Sequence, residues 1–153
     1  MRRHDKEITD SGEIAAIMHK ATVCRIALVD GNCPYIFPVN FVVRNNYLYF
    51  HSSPEGRKID ILRKNNRVCF EIDLDIEIVP GDLPCSWGTR YRSVIGFGRA
   101  SFLDKTEEKQ QALNYLVEKY AGLSDFSYEA EALEKVAVLC VSIEKITGKK
   151  SGY

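Results

Sequence analysis

The segment that follows the hydrophobic run YLYF collects residue types that bind and react with ligands. A histidine titrates near neutral pH and can transfer protons, hydroxyls donate hydrogen bonds, and arginine and lysine bind oxyanions. These types and their spacing predict either the polar start of a helix or a site for an anionic ligand. The residues concerned are His51, Ser52, Ser53, Arg57 and Lys58.

Two interpretations of this segment depend on the same predicted helix. The run SSPEGRKIDIL predicts a helix capped by Ser52 or Ser53, with the following proline at the first helical position. In the simpler interpretation, the two cations lie on a solvated helix face. In the functional interpretation, the free amides of the helix start and the two cations hold a phosphate, and the histidine lies beside the rest of the ligand.

A second polar group lies in the run SWGTRYRS, which follows a loop rich in proline and glycine. It contains Trp87, Arg90, Tyr91 and Arg92. Either this loop tethers the fold and Trp87 plugs the core, or its aromatic rings cover a planar ligand.

The strand-like run PVNFV carries a third signal. Pro38, in the middle of the run, predicts a bulge or an exposed backbone edge, because proline has no ladder donor. Asn40 interrupts the apolar pattern, and a buried asparagine needs hydrogen-bond partners. An exposed backbone edge here suits a planar heterocycle that has donors and acceptors of its own.

The elements that must position these groups are mostly strands. Alternation and turn signals predict strands over 23–29, 34–43, 47–52, 65–79, 91–103 and 136–147, and helical spacing predicts helices over 10–21 and 104–122. Asp10 is expected to cap the first helix with Glu13 in the capping-box position, and Asp104 or Thr106 to cap the second. We expect one domain over residues 1–153, mainly β with peripheral helices, as a small antiparallel barrel.

The composition limits the partners. The 153 residues are 45% hydrophobic and 27% charged, and 21 cations balance 21 anions, so no net basic field attracts nucleic acid or an anionic membrane. Five scattered cysteines and three histidines lack the spacing of a metal site. The polar start MRRHDKEITD is not typical of a signal peptide, and free thiols suit the cytoplasm, where we expect the protein. Cys24, Cys69 and Cys140 lie in apolar runs and are expected to be buried.

Several segments together resemble one known family. PYIFPVNFVV, LYFHSSPEGRKIDIL, NNRVCFEID, WGTRYRSVIGFGRA and ITGKKS are similar to the FMN-binding split-barrel proteins related to pyridoxamine 5′-phosphate oxidase. The similarity covers nearly the whole chain, and the branch it most resembles is that of the nitroimidazole-resistance (Nim) proteins.

The resemblance implies a homodimeric split β-barrel with FMN in grooves at the subunit interface. Pro38, Val39, Asn40 and Phe41 are then expected to line the flavin ring, and His51 and Ser52 to lie near the ring and ribityl chain. Arg57 and Lys58 are expected to hold the phosphate. The loop residues expected to approach the flavin, from the same subunit or its partner, are Cys85, Trp87, Tyr91 and Ser93.

Two departures from the family pattern refine the expected activity. The chain has Val42-Val43 where many members have Gly-Tyr, and it lacks the C-terminal Arg/His substrate motif of true pyridoxamine phosphate oxidases. Oxidation of a pyridoxal-type phosphate is therefore not the expected activity.

The resemblance favours transfer of electrons from a nicotinamide nucleotide through FMN to a small acceptor such as a nitroaromatic. His51 is then expected to transfer a proton or contact the substrate, or else only to orient the cofactor. Two alternatives stay open, a haem-binding or haem-degrading protein of the same fold and a non-catalytic flavin-binding module.

Overall fold

The structure, a computed structural model, describes residues 3–123 and 125–153. Its strands are β1 (Glu7–Ile8), β2 (Cys24–Asp30), β3 (Cys33–Val39), β4 (Val42–Arg44), β5 (Tyr47–Ser52), β6 (Arg67–Val79), β7 (Gly88–Phe102) and β8 (Ala137–Ser151). Its helices are α1 (Ser11–Lys20), α2 (Arg57–Lys64), α3 (Thr106–Ala121) and α4 (Ala130–Glu134). The prediction of a mainly β chain with peripheral helices is confirmed.

The strands form one antiparallel sheet in the order β3-β2-β6-β7-β8-β5-β4, and β1 adds to β8. Short β1 and α4 were not expected from the sequence. Within the described ranges no ladder joins β3 to β4, so the sheet curls without closing. None of the helices described is long and apolar enough to cross a membrane.

The core lies inside the curled sheet. Alternate residues of each strand point inward, and the largest fully buried side chains include Ile26, Phe50 and Phe70. Complete burial of one such side chain contributes about 1.5–3 kcal/mol relative to its exposure. Gly96 of β7 lies against this core, where an added Cβ would approach Cζ of Phe70 to 2.1 Å. The ring therefore fills the space that a side chain at position 96 would take.

The predicted single strand 34–43 is wrong, because the chain leaves the ladder at Asn40 and Phe41 and divides into β3 and β4. The hydroxyl of Tyr120 accepts from the N–H of Phe41 at 2.9 Å and lies 3.0 Å from its carbonyl. A side chain from α3 thus replaces the strand partner. Pro38 lies on an edge strand in regular register with Arg25, so the predicted edge is confirmed and the bulge is not.

The start of α2 also differs from the prediction. Neither Ser52 nor Ser53 caps the helix, which begins at Arg57 with Gly56 as its N-cap and no side-chain cap. Ser52 is still part of β5, where it pairs with Ala137. Gly56 has φ +112°, a conformation that glycine adopts readily and other residues rarely do. The glycine, not the serines, therefore sets where the helix begins.

Two other predicted caps are tested by the structure. The side chain of Asp10 accepts from the N–H of Gly12 at 2.8 Å, which confirms the cap of α1. The carboxylate of Glu13 instead accepts from Lys150 of β8 at 2.9 and 3.0 Å. For α3 the N-cap is Lys105 without a side-chain bond, so the expected caps at 104 and 106 are wrong.

The cysteines are less buried than expected. Cys24 is fully buried, as predicted, whereas Cys69 and Cys140 are only half-buried. Their positions in apolar runs did not distinguish the inner face of the sheet from the outer one.

Candidate functional site

The two cations of α2 lie over aromatic residues of β3. The guanidinium of Arg57 lies 5.0 Å from the ring centroid of Tyr35 and 3.4 Å from the carboxylate of Asp30. The ammonium of Lys58 lies 5.2 Å from the ring centroid of Phe37. Arg57 therefore has an acidic partner, and Lys58 has no acidic partner among the residues that the structure describes.

Beside these cations, the hydroxyl of Ser52 is buried without a partner. Ser52 is 7% exposed, and its Oγ makes no hydrogen bond in the part of the chain that the structure describes. Leaving such a group unsatisfied costs about 1–3 kcal/mol, so a partner outside the protein is favoured. Gly56 has open space where its side chain would be, and no side chain caps α2. These features together fit an anionic group such as a phosphate.

His51 leaves β5 on the opposite face from Ser52, because adjacent strand residues alternate. Its imidazole is exposed, and it pairs in register with Val138 of β8. One ligand can contact both residues only around the end of β5, where the chain turns toward α2.

The segment Pro38–Phe41 lies near this end of the sheet with only part of its surface free. Pro38 and Asn40 are exposed, while Val39 and Phe41 are buried. Asn40 was expected to be buried, and it instead donates from Nδ2 to the carbonyl of Thr22 at 3.2 Å. The side chain of Phe41 belongs to the core, so any contact of Phe41 with a ligand involves its backbone.

The remaining predicted cofactor residues lie in the β6–β7 connection and the start of β7. Cys85 and Trp87 are exposed, and the 57% exposure of Trp87 shows that it does not plug the core. Tyr91 and Ser93 are half-buried on β7, and Lys149 lies 5.4 Å from the ring centroid of Tyr91. The interpretation of this segment as a core tether is therefore wrong for its tryptophan.

One chain does not bring the two groups together. Within residues 3–123 and 125–153, no hydrogen bond, ion pair or ring contact joins the β6–β7 group of predicted cofactor residues to the start of α2. Ser52 pairs with Ala137, and Ser93 pairs with Lys149 near the other end of β8. At about 3.3 Å per residue, these two points are roughly 40 Å apart along the strand. A ligand that contacts both groups needs the second group from elsewhere.

Sequence reasoning missed an apolar strip on the outer face of the sheet. Ile36, Ala27, Cys69 and Phe97 are successive register partners across β3, β2, β6 and β7. Ile36 is 62% exposed and Phe97 is 48% exposed. The signal in the sequence was the pair Ile36-Phe37, which puts large apolar residues on both faces of one strand.

Comparison with known proteins adds a family and several similar structures. A family model described as pyridoxamine 5′-phosphate oxidase matches residues 10–150. Comparison with curated proteins gives no match.

A protein assigned to 5-nitroimidazole antibiotic resistance, from Bacteroides thetaiotaomicron, is 35% identical, with a TM-score of 0.84 over 94% of this chain and 86% of its own. The flavocytochrome Anf3 of Azotobacter vinelandii is 22% identical, with a TM-score of 0.85 over 100% of this chain and 72% of its own. A FAD and heme binding protein of Mycobacterium smegmatis is 19% identical, with a TM-score of 0.86 over 97% of this chain and 74% of its own. The likeness to the latter two concerns the fold alone, and the set confirms the predicted split barrel.

Proposed function

Because the chain belongs to the pyridoxamine 5′-phosphate oxidase family, we propose that it binds FMN and acts as an oxidoreductase of the nitroimidazole-reductase type. Its electrons would come from a nicotinamide nucleotide, and its acceptor would be a small molecule such as a nitroaromatic. The 35% identical structure assigned to 5-nitroimidazole resistance supports this choice of acceptor. Bound FMN would supply the redox-active ring, and the protein would supply position and electrostatics.

The observation that carries the proposal is the start of α2, whose first backbone amides have no side-chain cap. Lys58 and Arg57 would hold the flavin phosphate together with the uncapped amides of α2. The buried hydroxyl of Ser52 would gain its missing hydrogen bond from the same ligand. The exposed backbone at Pro38 and Asn40 would border the ring.

His51 is the proposed proton carrier. Reduction of a nitro group to a nitroso group takes two electrons and two protons and releases water. The exposed imidazole at the end of β5 would deliver a proton to a nitro oxygen as a general acid. This role needs no buried partner for the ring, in agreement with its exposure.

A second copy of the chain would complete the site. The apolar strip Ile36-Ala27-Cys69-Phe97 is an outer face of the kind that homodimers bury. Docking through this face would allow the partner to supply Cys85, Trp87, Tyr91 and Ser93, which one chain keeps apart from α2. The proposed cofactor site is therefore complete only in the proposed dimer.

Absorbance spectra of the purified protein test the proposal directly. We expect flavin bands near 370 and 450 nm, release of FMN rather than FAD on denaturation, and anaerobic bleaching by NADH or NADPH that metronidazole reverses. Protein that carries no flavin and binds none on addition would contradict cofactor and activity together. Tight FMN binding without bleaching by either nucleotide would leave the cofactor and contradict the activity.

A haem protein of the same fold is the second candidate, and it rests on one histidine. His51 is an exposed imidazole that could ligate iron. A Soret band that disappears in His51→Ala would favour this candidate over FMN. Its absence after incubation with haemin would exclude it.

A further inference from the structure

A second concave region lies between α1, β4 and α3. Its volume is about 500 Å³, and no residue of α2 lines it. Its apolar lining consists of Ala15, Met18, Val42 and Val43. Its polar lining consists of His19, Arg44, Glu118 and Lys119. A surface of this kind suits a ligand with an apolar body and a charged end.

The charges of this cavity do not cancel. Arg44 is paired with Glu118 at 2.7 Å. Lys119 has no carboxylate partner among the described residues. Its ammonium has three N–H donors, and the one protein acceptor that the structure gives it is the carbonyl of Met18 at 3.2 Å. The ammonium group of Lys119 therefore has unused N–H donors and lies beside the apolar residues of the cavity.

Lys119 is held in place by its surroundings. Its Nζ lies 3.7 Å from the ring centroid of Phe41, and the residue is half-buried. Burial lowers the pKa of Lys119 to about 8, against a smaller opposing effect of Cys24. A ligand that brings a negative charge to the ammonium would relieve this desolvation.

We propose that this cavity binds a small organic carboxylate, with its apolar or aromatic body on Met18 and Val43 and its carboxylate on Lys119. A carboxylate fits better than a phosphate dianion, because only one fixed cation of the cavity lacks a carboxylate partner. The apolar floor favours a hydrocarbon or aromatic body over a sugar. No residue of α2 lines the cavity, so carboxylate binding there does not depend on the proposed phosphate site.

Titration of the wild-type protein with benzoate, followed by methyl resonances in NMR, tests the proposal. We expect saturable shifts of the Ala15, Met18, Val42 and Val43 methyl signals, with a dissociation constant on the order of 1 mM. Benzamide, the neutral analogue, should bind at least about tenfold more weakly. Shifts that do not saturate, equal binding of benzamide, or shifts confined to residues near Ser52 or Trp87 would overturn the proposal.

Variants of α3 provide the matched comparison. Lys119→Met should weaken benzoate at least about tenfold, while Lys119→Arg should stay within about threefold of wild type. Lys105→Met, at the exposed start of α3, should leave the affinity unchanged. Unchanged affinity in Lys119→Met would reject the assignment. If that variant does not fold, the comparison of benzoate with benzamide decides alone.

Proton uptake gives a separate readout. The charged or titratable groups around Lys119 are His19 on α1, Cys24 on β2, Arg44 on β4 and Glu118 on α3. Benzoate stabilises the ammonium, so calorimetry in two buffers across the pH range in which Lys119 loses its proton should detect net proton uptake on binding. His19→Gln should keep this uptake and Lys119→Arg should lose it. Binding without uptake in the wild type would contradict the role of Lys119.

Discussion

At the scale of single residues, Ser52 and Lys58 are the side chains whose interactions are least complete inside the protein. One is a buried hydroxyl without a partner, and the other a cation without a carboxylate among the described residues. Both residue types were evident in the sequence. The lack of a partner was not, because it depends on tertiary structure, in which Ser52 pairs with Ala137 of β8 and Lys58 lies over Phe37 of β3.

Ser52→Ala should separate ligand binding from folding. Removing an unpartnered buried hydroxyl leaves the flavin-free protein as stable or more stable, by about 1 kcal/mol. The same change should weaken FMN, since the hydroxyl is proposed to bond to it. Thermal unfolding of flavin-free protein and fluorescence titration with FMN measure the two effects. Ser53→Ala, at an exposed neighbour, is the control, and a large loss of flavin-free stability in Ser52→Ala would contradict the argument.

Lys58→Ala tests the phosphate site. Loss of a charge-assisted hydrogen bond should weaken FMN by about 2 kcal/mol, roughly thirtyfold, and riboflavin hardly at all. The affinities come from flavin fluorescence quenching. Lys64→Ala, at the exposed end of α2, should change neither. Equal weakening of FMN and riboflavin would mean that Lys58 supports the fold and does not bind phosphate.

At the scale of elements, local patterns predicted α1 and β5 closely, and they were wrong at the start of α2 and at the junction of β3 and β4. The bounds of β5 match the prediction because alternation and a following proline specify both ends. The predicted start of α2 was wrong because two serines and a glycine within five residues each provide a reasonable cap. The ladder with Ala137 excludes Ser52, and the non-helical residues 54–56 exclude Ser53. The gap between β3 and β4 depends on Tyr120, which lies 79 residues away from Phe41.

Tyr120→Phe should therefore destabilise the junction of β3 and β4. Its hydroxyl bonds to Phe41 and donates to the carbonyl of Thr22 at 2.8 Å. Without it, a part-buried backbone N–H loses its acceptor, at a cost of about 1–3 kcal/mol in the free energy of unfolding. Urea unfolding measures the change. Tyr47→Phe, at an exposed tyrosine of β5, should change stability by less than about 0.5 kcal/mol. Equal effects of both changes would contradict this role of Tyr120.

At the scale of the whole molecule, the apolar strip and the divided site point to the same assembly. The sequence indicated the family through short motifs, and it indicated an antiparallel sheet through alternation and turn signals. It left open whether the loop residues reach the flavin from the same subunit or its partner, and it did not show that one chain keeps them apart from α2. That division follows from the register of β8 with β5 and β7, which no local pattern encodes.

Phe97→Glu tests the assembly. A carboxylate at the β7 end of the strip would be buried without a partner in the dimer, so we expect monomers and loss of FMN together. Light scattering after size exclusion and the flavin-to-protein ratio measure both. Leu123→Glu changes a similarly exposed apolar residue beyond α3 and should affect neither. A monomer that keeps tight FMN would separate the cofactor from the dimer and contradict a shared site.

The pairing of β1 with β8 has a consequence for the order of folding. Glu7 is opposite Lys149 and Ile8 is opposite Gly148, so the two paired segments are far apart along the chain, and β1 is synthesised long before β8. β8 also pairs with β5 and β7, so neither of these two ladders can form before β8 has been synthesised. Contacts this distant in sequence slow folding, because the loop must close before they form. The sheet is therefore completed only once β8 has been synthesised, and nascent chains lacking β8 expose the edges of β5 and β7 to other chains.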